Sequence, residues 1–114
     1  ECIFQLPHLQ TLYMSHNQIS QLPKQLFQLP LTQLSISDNK ITVIPPQIGQ
    51  LKQLQYLDIG GNPVSVLPKE IGGLQSLITL YMYRMQLGVL PEEIGQLTNL
   101  TALSISGNKL ERVP

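Results

Sequence analysis

The sequence predicts an α/β repeat solenoid, with a parallel β-sheet along a concave face and short 3₁₀ or α turns along a convex one. Three observations carry that expectation. Proline recurs at 23, 45, 68, 91 and 114, each behind an aliphatic residue, in steps of 22, 23, 23 and 23 residues. A fixed period of this size belongs to a chain that stacks one short unit on copies of itself. Within each unit apolar residues alternate with period two, as Leu57 and Ile59 do among Tyr56, Asp58 and Gly60, so that one face is apolar and the other is not. An asparagine returns in phase at 17, 39, 62 and 108.

Each element follows from the repeat. The alternating segments place strands near Thr11–Ser15, Gln33–Ser37, Tyr56–Gly60, Thr79–Tyr83 and Ala102–Ser106, all parallel, with neighbours about 4.8 Å apart. None can bury its apolar side alone, so stacking is required. The segment after each proline supplies the opposite wall through Ile3, Leu26, Ile48, Ile71 and Ile94 and through Leu6, Leu29, Leu51, Leu74 and Leu97. In PEEIG, Pro91 suits the first position of a helical turn, and Glu92 and Glu93 suit its positive end. Gly49, Gly72 and Gly95 then fit a left-handed exit from that turn. The asparagines read as structural, because a buried amide can both donate to and accept from backbone groups left without ladder partners. Met85 interrupts their column, and its turn must be satisfied by other groups. The unit of 22 residues lacks one between Leu29 and Leu34, which requires Pro30 to tighten the return.

The pattern LxxLxLxxNxL runs through Leu9, Leu12, Met14, Asn17 and Ile19, and again in phase four more times, ending at Leu100, Leu103, Ile105, Asn108 and Leu110. With LPKEIGGLQSL and LPEEIGQLTNL between copies, the chain resembles the leucine-rich repeat family, in the 23-residue class common in bacterial proteins and found in some eukaryotic signalling scaffolds. The resemblance covers all 114 residues and implies a horseshoe segment that binds protein or peptide ligands on its concave face. It equally allows a regulatory or targeting segment of a larger multidomain enzyme, such as a GTPase or ubiquitin ligase, or a structural spacer. The units are 1–23, 24–45, 46–68, 69–91 and 92–114, forming one array. The chain starts just after the place of a repeat proline and ends on one, so a piece of a longer array is expected. Its ends would expose Ile3 and Leu6 on one side and Leu110 and Val113 on the other, a surface suited to end-to-end self-association.

Composition narrows the function classes. The formal net charge is zero and charged residues make up 12%, against about 25% in an average domain. No basic stripe invites nucleic acid. No apolar run has membrane-spanning length and no segment has the pattern of a signal peptide. The single cysteine, Cys2, excludes an internal disulfide, and the cysteine-paired caps frequent in extracellular members of the family are absent, which leans toward the cytoplasm while leaving location unassigned. His8 and His16 lack ligands at metal spacing. Ser15 and His16 have only Asp38 as a conceivable acid partner, and the glycine pairs lack the residues of a phosphate loop. Asn99-Leu100-Thr101 matches a glycosylation sequon, but Leu100 belongs to a core column. No cofactor, metal site or catalytic group is expected, and the chain is read as a non-enzyme.

What remains is the outward face of the sheet. Its columns are Thr11, Gln33, Tyr56, Thr79 and Ala102; Tyr13, Ser35, Asp58, Tyr81 and Ser104; Ser15, Ser37, Gly60, Tyr83 and Ser106; and His16, Asp38, Gly61, Arg84 and Gly107. All four tyrosines of the chain fall here. Tyrosine and arginine are enriched where binding energy concentrates, although tyrosine is also a good strand former. The candidate protein-binding residues are therefore Tyr13, His16, Asp38, Tyr56, Asp58, Tyr81, Tyr83 and Arg84. Gly60 and Gly61 are expected to open a shallow trough beside Tyr83. Across it, Arg84 is expected to reach Asp38 two strands away, with His16 on the other side of Asp38.

Overall fold

A computed structural model of the chain describes residues 9–108. Five parallel strands lie side by side in chain order: β1 (Thr11–Tyr13), β2 (Gln33–Ser35), β3 (Tyr56–Asp58), β4 (Thr79–Tyr81) and β5 (Ala102–Ser104). The register is one repeat per strand, so Leu12, Leu34, Leu57, Leu80 and Leu103 form one row. The regular strands are shorter than expected, but parallel bonding continues to the turn. His16 N–H donates to Ser37 C=O (3.0 Å), Asp38 N–H to Gly60 C=O (2.9 Å), Gly61 N–H to Tyr83 C=O (2.8 Å) and Arg84 N–H to Ser106 C=O (2.9 Å).

The chain returns through four 3₁₀ turns, Lys24–Gln28, Pro46–Gln50, Lys69–Gly73 and Glu92–Gln96. Two sequence expectations are corrected here. Pro23, Pro45, Pro68 and Pro91 sit one position before the turn, in extended backbone. Their carbonyls accept the first 3₁₀ bonds, from Leu26, Ile48, Ile71 and Ile94, each at 3.1 Å. Proline serves there because that position needs an acceptor and not a donor. Gly49 and Gly72 lie within the turns and, among the described residues, only Gly61 and Gly107 are glycines with positive φ. Their role is close approach. A Cβ on Gly49 would come to 3.0 Å of Glu70 C=O, and one on Gly72 to 2.7 Å of Glu93 C=O. Gly95 likewise lies inside its turn.

Between sheet and turns lies one apolar core. Leu34, Ile36, Leu57, Ile59, Leu80 and Met82 from the sheet side meet Ile48, Ile71, Leu74 and Leu54 from the return side, all with no exposed surface. Full burial of each such side chain stabilises the fold by about 1.5–3 kcal/mol. In the last unit the burial falls away, and Leu103 on β5 is 42% exposed. Ile3, Leu6, Leu110 and Val113, on which the expected end-to-end contacts rest, lie outside the described residues, as do Cys2 and His8. The short unit behaves as its composition requires. Leu29 ends its turn with ψ 148°, whereas Leu51, Leu74 and Leu97 have ψ of 68°, 76° and 73°. Pro30 forces the residue before it into extended backbone, and the chain reaches Leu31 with one residue fewer.

The asparagines knit each strand's turn to the previous one. Asn62 Nδ2 donates to the carbonyls of Ile36 (3.0 Å), Ile59 (2.9 Å) and Gly60 (3.3 Å), while its Oδ1 accepts from Ile41 N–H (3.1 Å). Asn39 repeats the arrangement one unit earlier, with Met14, Ile36, Ser37 and Ile19. Where Met85 breaks the column, Val64 N–H turns back to Asn62 C=O at 2.8 Å. Asn108 Oδ1 accepts from both Met85 N–H (3.1 Å) and Leu87 N–H (3.3 Å). The Met85 side chain joins the core instead.

Candidate functional site on the concave face

The residue that leaves each strand for its turn is in left-handed backbone in every unit: His16 (φ 60°), Asp38 (57°), Gly61 (74°), Arg84 (50°) and Gly107 (74°). Glycine adopts this conformation without a Cβ clash, and Asp and His tolerate it better than most residues. Arg84 does neither, and its conformation costs about 1–2 kcal/mol. The side chain so placed runs along the sheet toward β2. Its Nη2 lies 3.6 Å from Asp38 Oδ1, and Asp38 Oδ2 lies 3.4 Å from His16 Nδ1. The array His16–Asp38–Arg84 therefore bridges three of the five turns, skipping Gly61, whose missing side chain leaves the passage open. A Cβ at Gly61 would overlap the Asp38 carboxylate. With Arg84 and His16 mostly exposed, such pairs stabilise by at most about 1 kcal/mol. Their effect is to fix where the guanidinium stands. Ser15 Oγ bonds Ser35 Oγ (2.8 Å) and Ser37 Oγ (2.9 Å), so its hydroxyl serves a serine cluster and not His16.

Three tyrosines form a continuous aromatic patch beside this array. Tyr56 and Tyr81, on adjacent strands, meet edge to face with centroids 5.7 Å apart. Tyr81 and Tyr83 are tilted at 6.4 Å. Arg84 lies over the Tyr83 ring, 5.3 Å from its centroid. Tyr13 stands apart on β1, 60% exposed, its hydroxyl donating to Gln33 Oε1 at 2.6 Å. Burial raises the pKa of Tyr56 and of Tyr83 further above that of free tyrosine, with the Asp58 charge adding to both, so both hydroxyls remain protonated donors at neutral pH.

Two expectations about the surface are corrected. Gly60 and Gly61 do not open a trough, because Tyr83 lies over Gly60, where a Cβ would come to 2.7 Å of its ring, and the Arg84–Asp38 pair spans Gly61. Asp58 is not a free surface charge. It is 7% exposed, with Oδ1 accepting from Gly60 N–H (3.0 Å) and Oδ2 from Tyr83 O–H (3.3 Å). Its pKa is raised, chiefly by burial, with the Asp38 charge a minor contributor, against a lowering by those two hydrogen bonds. The structure thus gathers Asp38, Tyr56, Asp58, Tyr81, Tyr83 and Arg84 with His16 at one border, and leaves Tyr13 outside. Sequence reasoning missed Ser35 and Ser37, both buried on this face. The serine columns already placed them next to Ser15 and Asp58.

A family model described as a leucine-rich repeat region matches residues 30–112, and a single leucine-rich repeat model matches 8–29. The chain belongs to the leucine-rich repeat family. It is 50% identical over 58 residues to the mouse leucine-rich repeat and calponin homology domain-containing protein 1, covering 51% of this chain and 8% of that protein. The human counterpart matches over the same length at 47% identity. The chain therefore spans less than a tenth of those curated relatives. Among solved structures, a Leptospira interrogans leucine-rich repeat protein superposes with a TM-score of 0.92 at 44% identity, covering 96% of this chain and 28% of that one. An internalin from Listeria monocytogenes gives a TM-score of 0.83 at 32% identity, covering 96% and 32%. The plant peptide hormone receptor RGFR1, solved in complex with RGF2, gives 0.83 at 31% identity, covering 95% and 18%.

Proposed function

We propose that this array is a protein- or peptide-binding module that works through its concave face. The observation that carries the reading is the patch Tyr56–Tyr81–Tyr83–Arg84, in which rigid aromatic surface is stacked and an arginine in strained left-handed backbone has its guanidinium paired with Asp38. Strain of this kind concentrates at functional sites, and tyrosine and arginine dominate binding energy at interfaces. The five strands offer about 25 outward or rim positions, the size of one side of a standard interface. A similar scaffold in a plant peptide hormone receptor, solved with RGF2, supports the same use.

A second reading is that the array is the regulatory or targeting segment of a longer multidomain protein, supported by the small share of the curated relatives that it spans. The two are compatible, since a targeting segment must also bind.

The test is selection of phage-displayed random dodecapeptides on the chain, followed by binding to variants. Binding should be lost in Tyr81→Ser/Tyr83→Ser and kept in Gln47→Ala on the convex turn. Binding that survives the first variant and fails in the second would place the site elsewhere. Recovery of no binding peptide at all would also count against the reading.

A further inference from the structure

Of the two carboxylates on the concave face, Asp38 is compensated and Asp58 is not. Asp38 faces Arg84 and His16 within ion-pair distance. Among the described residues Asp58 has no Lys, Arg or His within that distance, although it is the more buried of the two. Hydrogen bonds satisfy its oxygens without neutralising its charge. Buried charges in proteins are ordinarily paired, because an unpaired one costs more than hydrogen bonds return.

The surroundings of Asp58 are suited to a cation supplied from outside. Its lateral neighbour in register on β4 is Tyr81. Tyr56 precedes it by two residues on the same strand, and Tyr83 approaches from above Gly60. Three ring systems thus surround one carboxylate, the combination that favours an ammonium or guanidinium group. Tyr83 already carries the Arg84 guanidinium over its ring at 5.3 Å. The bond that covers Asp58 Oδ2 is exchangeable. At 3.3 Å the Tyr83 contact is well beyond the roughly 2.5–2.7 Å of a strong hydroxyl–carboxylate bond.

We infer that the concave face recognises a basic side chain, Lys or Arg, of an extended protein segment, which enters among Tyr56, Tyr81 and Tyr83 and pairs with Asp58 in place of the Tyr83 hydroxyl. An anionic segment would meet Asp58 and find Arg84 already engaged with Asp38. A neutral one would leave the buried charge uncompensated. This inference rests on the concave-face reading, and the two can fail separately.

The experiment uses the dodecapeptides selected on the chain. A Lys or Arg should dominate one fixed position, and replacing it by norleucine should weaken binding. Asp58→Asn, which keeps an acceptor for Gly60 N–H, should weaken the same peptides by about thirtyfold, the low end for removing one partner of a buried charge pair. It should not weaken the norleucine peptide. The Gly60 amide resonance of the unmodified protein should shift on adding the basic peptide and stay in place with the norleucine one, a readout that does not depend on how the variant folds. Peptides that need Tyr81 and Tyr83 but carry no preferred basic residue would overturn the cation site and leave the concave-face reading standing. Peptides indifferent to both tyrosines would overturn both.

Discussion

Asn62 and Asp58 lie four residues apart and are 1% and 7% exposed, yet their settings differ. The partners of Asn62 are three carbonyls and an N–H that Asn39 also finds one unit earlier. The partners of Asp58, Tyr83 O–H and Gly60 N–H, depend on a tyrosine and a glycine at positions that hold serine in the other units. Contacts that recur from unit to unit hold the solenoid together. Contacts unique to one unit can be changed without breaking the stack, which leaves them free for recognition.

The largest effect should come from breaking a recurring contact. Asn62→Ala leaves Ile41 N–H and Ile59 C=O to find other partners in a dry turn, while Ile36 C=O keeps Asn39 Nδ2 and Gly60 C=O keeps Asp38 N–H, and should lower stability by about 3–5 kcal/mol. Tyr81→Ala removes an edge-to-face partner of Tyr56 and should cost about 1 kcal/mol. Urea midpoints of the two variants measure the contrast, and equal losses would erase it.

The next effect separates two adjacent glycines. Gly72→Ala places a methyl group against Glu93 backbone and should cost about 1–3 kcal/mol. Gly73→Ala meets the flexible Lys52 Nζ at 3.4 Å and Gly49 backbone at an ordinary contact distance of 3.7 Å, and should be neutral or stabilising by about 0.5 kcal/mol, through lost freedom of the unfolded chain. Similar losses at both positions would mean that the repeats do not depend on close approach of their turns.

A smaller and pH-dependent effect belongs to Asp58. Burial raises its folded pKa above the unfolded value. Its contribution is therefore fully present below the unfolded pKa and is lost as pH rises through the folded pKa. Asp58→Asn should then melt above the parent protein near pH ~7, and the difference should shrink toward pH ~3, where the parent carboxyl is protonated. A gap that widens on acidification would reverse the sign of the argument.

Much of this was legible in the chain because the repeat converts sequence position into spatial position. The strand rows, the asparagine contacts and the approach of Arg84 to Asp38 over Gly61 all follow from column arithmetic. What escaped it depends on packing between neighbouring units. Gly72 reads as an exit from a turn until Glu93 is seen against it, and Pro91 fits either of two adjacent positions by its φ alone. Gly60 reads as open space because a column shows which side chain is missing, and not which neighbour leans into the gap. Asp58 reads as exposed for the same reason, since the Tyr83 ring that covers it comes from the next unit.

The separation of architecture from recognition is tested most directly by one variant measured twice. Tyr81→Ser/Tyr83→Ser gives the fourth unit the serines that Ser35, Ser37, Ser104 and Ser106 supply in the same columns. It should keep its circular dichroism spectrum and lose no more than about 2 kcal/mol in urea, while peptides selected on the parent bind at least about tenfold more weakly. A variant that unfolds, or one that folds and binds as the parent does, would contradict it.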